Sequence, residues 1–263
     1  MTPFEADFVE QGNGPTVILL HSSVAGARQW RGLMDRLAGT YRLIAVNLFG
    51  YGTTPPWDLR RPQSLEDQAR LIESLLQGDR SRARLVGHSF GGSVAMKAAT
   101  LFPERIDKLV LIEPNPFYLL AQAGRSDAYA EAEALRGCIK TTGATGDWPR
   151  AAAEFADYWT GAGSWDRMPE DRRQKFAQAL KPNFHEWDAV MTPDLPLSDW
   201  HARLPRDTTV MHAADTVRSI REIVELLASG HPGWRFETFE TGGHMAPLSH
   251  PDMVNAAVKK ALA

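Results

Sequence analysis

Two residues far apart in the chain have the types and settings needed for nucleophilic catalysis. Ser89 lies in RLVGHSFGGSVAM (84–96), where an apolar run meets a G-x-S-x-G bend and then the small-residue start of a helix. A serine on so sharp a bend has crowded neighbours, so glycine fits at 87 and 91. The bend also sets Ser89 at a helix N-terminus, where free N–H groups and the dipole favour negative charge. A hydroxyl is a poor nucleophile at neutral pH and needs a base, and an imidazole titrates in the right range. His244 follows Gly242 and Gly243 in ETGGHMAPLSHP, a loop that can bring its ring onto the serine. His250, in a Ser-His-Pro-Asp setting, reads instead as part of a helix entrance.

The elements that must position these groups alternate between short β-rich runs and helical stretches. That rhythm implies an α/β fold, a mostly parallel sheet with helices on both faces. The expected strands are 16–21, 41–48, 82–88, 108–113, 207–213 and 234–240, with 4–11 as an edge strand. Helical spacing is found over 30–38, 65–77 and about 252–262. Ser64 with Asp67 three residues on resembles a capping box. Residues 114–205 break the rhythm and are too long for a simple loop. Their content is helical over 119–139, 150–159, 169–180 and 183–191, and they hold Trp148, Trp159, Trp165, Trp187 and Trp200. We expect a helical cap inserted between a core of 1–113 and 206–263, with most of these aromatics packing it down and one or two lining a pocket.

With ILLHSSVAGARQW, VNLFGYGTT, LVGHSFGGSVA, LVLIEP, VMHAADT and GGHMAPLSHPD in view, the chain resembles the α/β-hydrolase fold family over nearly its whole length. The likeness is to the cap-bearing esterase, lipase and haloperoxidase-like branch. It implies a catalytic triad in the chain order Ser, acid, His, with Ser89 and His244 as its ends. The acid is expected to be Asp215, which follows the strand TVMHA, although His212 stands where relatives carry glycine. Glu113, at the end of the preceding strand, is the alternative acid, because some relatives draw theirs from there. The resemblance assigns the oxyanion hole to the backbone N–H groups of Phe90 and Ser23. Two residues depart from the pattern: Ser22 replaces the usual glycine of His-Gly-x, and Asn47 replaces an aspartate that is chiefly structural. Ser22, His88, Trp159 and Trp187 are the side chains expected to meet substrate, His88 from beneath the elbow, where it should pack or hydrogen-bond.

Composition narrows the partners. Across 263 residues, 29 Lys and Arg face 32 Asp and Glu, for a formal charge of −3, which does not suggest a nucleic-acid surface. No apolar run approaches the roughly 20 residues of a membrane span, and the N-terminal stretch has no secretory pattern, so a cytoplasmic monomer or homodimer is expected. The single cysteine, Cys138, reads as a packing residue, and the HEWD run at 185–188 lacks the spacing of a zinc site, so no metal and no cofactor are expected. The partner is then a small-molecule substrate: a partly apolar ester, thioester or lactone. The alternatives are carbon–carbon hydrolysis or cofactor-free oxygenase or lyase chemistry on the same fold, or a ligand-binding receptor with little turnover.

Overall fold

The computed structural model describes residues 5–58, 60–77, 82–231 and 233–263. Its centre is a seven-stranded sheet: β1 (Phe8–Gln11), β2 (Thr16–Leu20), β3 (Arg42–Val46), β4 (Ala83–His88), β5 (Ile106–Ile112), β6 (Asp207–Ala213) and β7 (Arg235–Phe239). The spatial order is β1-β3-β2-β4-β5-β6-β7, with β1 antiparallel to β3 and every other pair parallel. The expected edge strand is found over Phe8–Gln11; Phe4, where the expected run begins, lies outside the described residues.

Both faces of the sheet are covered, so the central strands are apolar without alternation, as parallel strands buried on two sides must be. Residue parity separates the two layers. Ile18, Leu20, Ile44, Val46 and Leu85 face one core, while Val17, Leu19, Leu43, Ala45 and Val86 face the other. Helices α1 (Arg31–Leu37), α2 (Leu65–Ala69) and α3 (Phe90–Leu101) connect the first strands. Ser64 and Asp67 form the expected capping box at α2, each satisfying the other's backbone N–H.

Between β5 and β6 the chain runs through six helices: α4 (Tyr118–Gln122), α5 (Ser126–Ala144), α6 (Trp148–Thr160), α7 (Glu170–Ala179), α8 (Asn183–Met191) and α9 (Leu197–Arg203). The run expected as one helix over 119–139 is split, because Gly124 takes a left-handed φ of 68°. After β6 follow α10 (Arg218–Ala228), α11 (Ala246–Ser249) and α12 (Pro251–Leu262). No helix among the described residues is long and apolar enough to cross a membrane.

The ends of β2 and β3 are joined through a buried imidazole. His21 donates from Nδ1 to the Ser22 carbonyl at 2.7 Å and accepts the Leu48 N–H at Nε2, 3.1 Å away. Burial holds its pKa down at about 4, against the upward pull of the Ser22 carbonyl. The folded chain therefore resists protonating a ring that the unfolded chain protonates near 6.5, so stability present above pH 6.5 is lost as pH falls towards 4. Denaturant melts should register a loss on the order of 3 kcal/mol across that window from this group. The slope should be shallower in His21→Gln.

Candidate active site

The strand-to-helix bend after β4 puts Ser89 at φ 55° and ψ −120°, a left-handed backbone that a non-glycine residue adopts only when its surroundings impose it. The bend is packed from both sides. A Cβ at Gly87 would overlap the Gly91 carbonyl oxygen, and one at Gly91 would overlap the Leu20 and His21 carbonyls. The Ser89 N–H donates to the Ile112 carbonyl at 2.9 Å, tying the bend to the end of β5.

His244 comes from the loop between β7 and α11, turned inward by Gly242 at φ 111° and Gly243 at φ 54°. The Ser89 hydroxyl lies 2.8 Å from His244 Nε2. His244 Nδ1 lies 2.7 Å from Oε2 of Glu113, not of Asp215. Glu113 and His244 are both buried.

The expectation for the acid is thus corrected. Glu113 follows β5 directly, with φ 47°, and its carboxylate also accepts the Ala213 N–H at 2.7 Å and the Thr216 hydroxyl at 2.7 Å. Glu113 thus meets the Ala213 N–H, the Thr216 hydroxyl and His244 Nδ1, while His244 Nε2 faces the Ser89 hydroxyl. The end of β6, expected to supply the acid, instead supplies donors to it. Asp215 is exposed and turned outwards. Its carboxylate accepts the Gly243 N–H at 2.8 Å and the Gly242 N–H at 3.3 Å, and so braces the histidine loop from outside. Burial pushes the Asp215 carboxyl up, but these backbone donors outweigh it and hold the pKa below the ordinary value.

Two other expected residues do not face substrate. The Ser22 hydroxyl and N–H both donate to Gln29 Oε1, at 2.9 and 3.0 Å. The amide nitrogen of Gln29 must then be the atom 3.1 Å from His88 Nδ1, which makes His88 Nδ1 the acceptor and Nε2 the donor to the His244 carbonyl at 2.9 Å. Burial, then the neighbouring His244, push the His88 pKa well below its ordinary value, in keeping with a neutral ring. Ser22 and His88 are therefore struts: one bonded path runs from the loop after β2 to the backbone of the base.

A small cavity, with about 10 Å³ of water-accessible space, is lined by Ser89, Phe90, Ser23, Trp159 and Trp187 together with Asn115, Phe117, Phe155, Asn183, Glu186 and Val190. The N–H groups of Phe90 and Ser23 have no protein partner among the described residues. Trp159 stacks on His244 with ring centroids 4.0 Å apart, and Trp187 stacks on Phe117 at 5.4 Å. Sequence reasoning missed Gln29, Asn183 and Glu186. The last two lie three residues apart on the face of α8 that also carries Trp187 and Val190, so a polar pair within an apolar stripe was the signal available.

A model of the alpha/beta hydrolase family matches residues 17–257. The chain belongs to the alpha/beta hydrolase family. It is 33% identical over 108 residues to a pimeloyl-(acyl-carrier protein) methyl ester esterase of Nitrosomonas europaea, a match covering 41% of this chain and 40% of that one. It is 31% identical over 113 residues to a 2-hydroxy-6-oxo-6-(2'-aminophenyl)hexa-2,4-dienoic acid hydrolase of Metapseudomonas resinovorans, covering 41% and 38%. The matches thus span well under half the length of these curated relatives. The fold is similar to that of an esterase from Exiguobacterium antarcticum, with a TM-score of 0.76, 22% identity and coverage of 98% and 96%.

The two acids are separable by experiment. Glu113→Gln leaves the ring without an anionic anchor and should slow fluorophosphonate labelling of Ser89 by roughly 10³- to 10⁴-fold. Asp215→Asn, which loosens only the outer brace, should slow it less than about tenfold. Labelling rates of the two variants side by side decide the assignment.

Proposed function

We propose that this member of the family is a serine hydrolase that cleaves a small to medium, partly apolar ester, thioester or lactone through an acyl-enzyme. The observation that carries this reading is the bonded chain Ser89–His244–Glu113 beside two unpartnered N–H groups. In the forward step His244 Nε2 takes the hydroxyl proton as Ser89 Oγ attacks the acyl carbon. The electron pair displaced onto the carbonyl oxygen is held by the N–H groups of Phe90 and Ser23. His244 passes its proton to the leaving oxygen or sulfur as that bond breaks, and Glu113 stabilises the transient imidazolium. Water, deprotonated by the same ring, then attacks the acyl-enzyme and releases the acid and free Ser89.

The apolar side chains of Phe117, Phe155, Trp159, Trp187 and Val190 favour an apolar portion in the substrate, with residues 114–205 acting as a cap. The cavity holds about one water molecule, so binding an ester displaces some of these side chains. The relative named for a dienoic acid acts on a carboxylate-bearing compound, yet no lysine or arginine lines this cavity to meet such a group. That difference favours ester cleavage over the carbon–carbon reaction.

The test is hydrolysis of short activated esters with oxygen present and removed. Activity should be unaffected by oxygen removal and should fall by at least about 10³-fold in Ser89→Ala. Strong activity retained in Ser89→Ala would point instead to substrate deprotonation by His244. Tight ligand binding without product would point to a receptor.

A further inference from the structure

One side of the cavity at Ser89 is polar and buried, and acyl transfer leaves it unused. Glu186 on α8 is 1% exposed, and its Oε2 accepts from the Ser23 hydroxyl at 2.5 Å and from Asn183 Nδ2 at 2.9 Å. Its Oε1 accepts from the Tyr51 hydroxyl at 2.8 Å. The Ser23 hydroxyl is itself an acceptor for Asn183 Nδ2 at 3.2 Å, and the Tyr51 hydroxyl accepts the Val24 N–H at 2.9 Å. Glu186 thus has three partners, two hydroxyls and an amide N–H, and all three are neutral. Burial outweighs these hydrogen bonds and raises its pKa above the ordinary value.

What remains unfilled here is acceptor capacity. Asn183 is 4% exposed, and its Oδ1 has no partner. Glu186 Oε1, with one donor, has a lone pair to spare. Asn183, Glu186 and Ser23 line the same cavity as Ser89, and that lining includes neither lysine nor arginine. A buried acceptor left unpaired costs free energy that a donor on a bound molecule would recover. A carboxylate brought here would set its acceptor oxygens against the unpaired Asn183 Oδ1, with no lysine or arginine in the lining to meet it.

We infer that Asn183 and Glu186 form a recognition subsite for a hydrogen-bond-donating substituent of the substrate, a hydroxyl or an ammonium group, and that the same pair rejects substrates carrying a carboxylate there. The inference rests on the hydrolase reading, since it names the class of ester that Ser89 receives. A site built to bond a substrate hydroxyl discriminates strongly against an analogue that lacks it, because its own buried groups are then left unpaired.

The test uses methyl esters of propanoic acid that carry a methyl, hydroxyl, ammonium or carboxylate group at carbon 2 or carbon 3. Two readouts are taken: kcat/KM by proton release, and Kd for Ser89→Ala from tryptophan fluorescence. At one of the two positions the hydroxyl or ammonium ester should exceed its methyl counterpart by at least about fivefold, and the carboxylate ester should fall at least about fivefold below it. The larger of the two gains identifies the donor. Asn183→Ala and Glu186→Gln should each bring the preference below that threshold, whatever happens to absolute rates. A wild-type preference below the threshold at both positions overturns the proposal, as does a favoured carboxylate ester or a preference unchanged in both variants. If no ester is hydrolysed but Ser89→Ala still binds the donor-bearing ester more tightly, the hydrolase reading falls and the subsite stands. If esters are hydrolysed without preference, the reverse holds.

Discussion

The buried carboxylate of Glu113 is the constraint around which this fold is arranged. A carboxyl group with almost no contact with water must find hydrogen-bond partners within the protein. It is met by three, and they come from separate parts of the chain: the end of β6, the turn behind it, and the histidine loop after β7. Each donor fixes one element relative to β5. Because β5 lies beside β4 in the sheet, fixing β5 also fixes the distance from His244 to the serine bend. Both Ser89 and Glu113 sit in left-handed backbone at adjacent strand ends. Such conformations persist only where surrounding packing over-determines them, and here they aim two side chains at one ring.

Glu186 presents the same physical problem with a different solution. Its partners are two hydroxyls and an amide, with no ring or cation among them, so burial holds its pKa above the ordinary value. Those bonds fasten α8 to the loop after β2 through Ser23 and to the loop after β3 through Tyr51. The helix that narrows the cavity and the loop that offers the Ser23 N–H are thereby held in one piece. Glu113 organises the base from behind, whereas Glu186 organises the wall in front of it.

The sheet, the serine bend and the histidine that meets it were legible in the sequence because each has a local signature. Buried parallel strands are continuous apolar runs, and the bend requires glycine at 87 and 91. The two glycines before His244 mark where the loop must turn. The carboxylate beside His244 is Glu113, the alternative, and not Asp215, which the resemblance favoured; both follow a strand, at 113 and at 215. What separates them is which strand end offers free donors, Ala213 N–H and Thr216 among them, and that is a property of neighbouring strands in the sheet. Gln29, Asn183 and Glu186 were passed over for the same reason. The polar pair on α8 marks an unusual helix face, but nothing local names the partner it meets some 160 residues away, as Glu186 meets Ser23. The break at Gly124 was local, but a single glycine in a helical pattern does not by itself end it.

Ser22 and Asn47, the two departures from the family pattern, are each matched by a compensating residue elsewhere. Asn47 uses both halves of its amide: Oδ1 accepts the Ala27 N–H at 2.8 Å, and Nδ2 donates to Asp7 at 2.8 Å. An aspartate at 47 would set two carboxylates against each other, so with Asp7 in place the amide is the residue that fits. Asp7 in turn takes the Thr53 N–H at 2.9 Å, supplying to the turn the charge that Asn47 lacks. Ser22 is matched by Gln29, whose single oxygen receives both its hydroxyl and its N–H. A glycine at 22 would leave that oxygen one donor short, and the amide whose other end meets His88 would be less firmly oriented. The serine is therefore one end of a path that reaches the backbone of His244 by way of Gln29 and His88. Each departure is thus matched to the residue it bonds, Asn47 to Asp7 and Ser22 to Gln29.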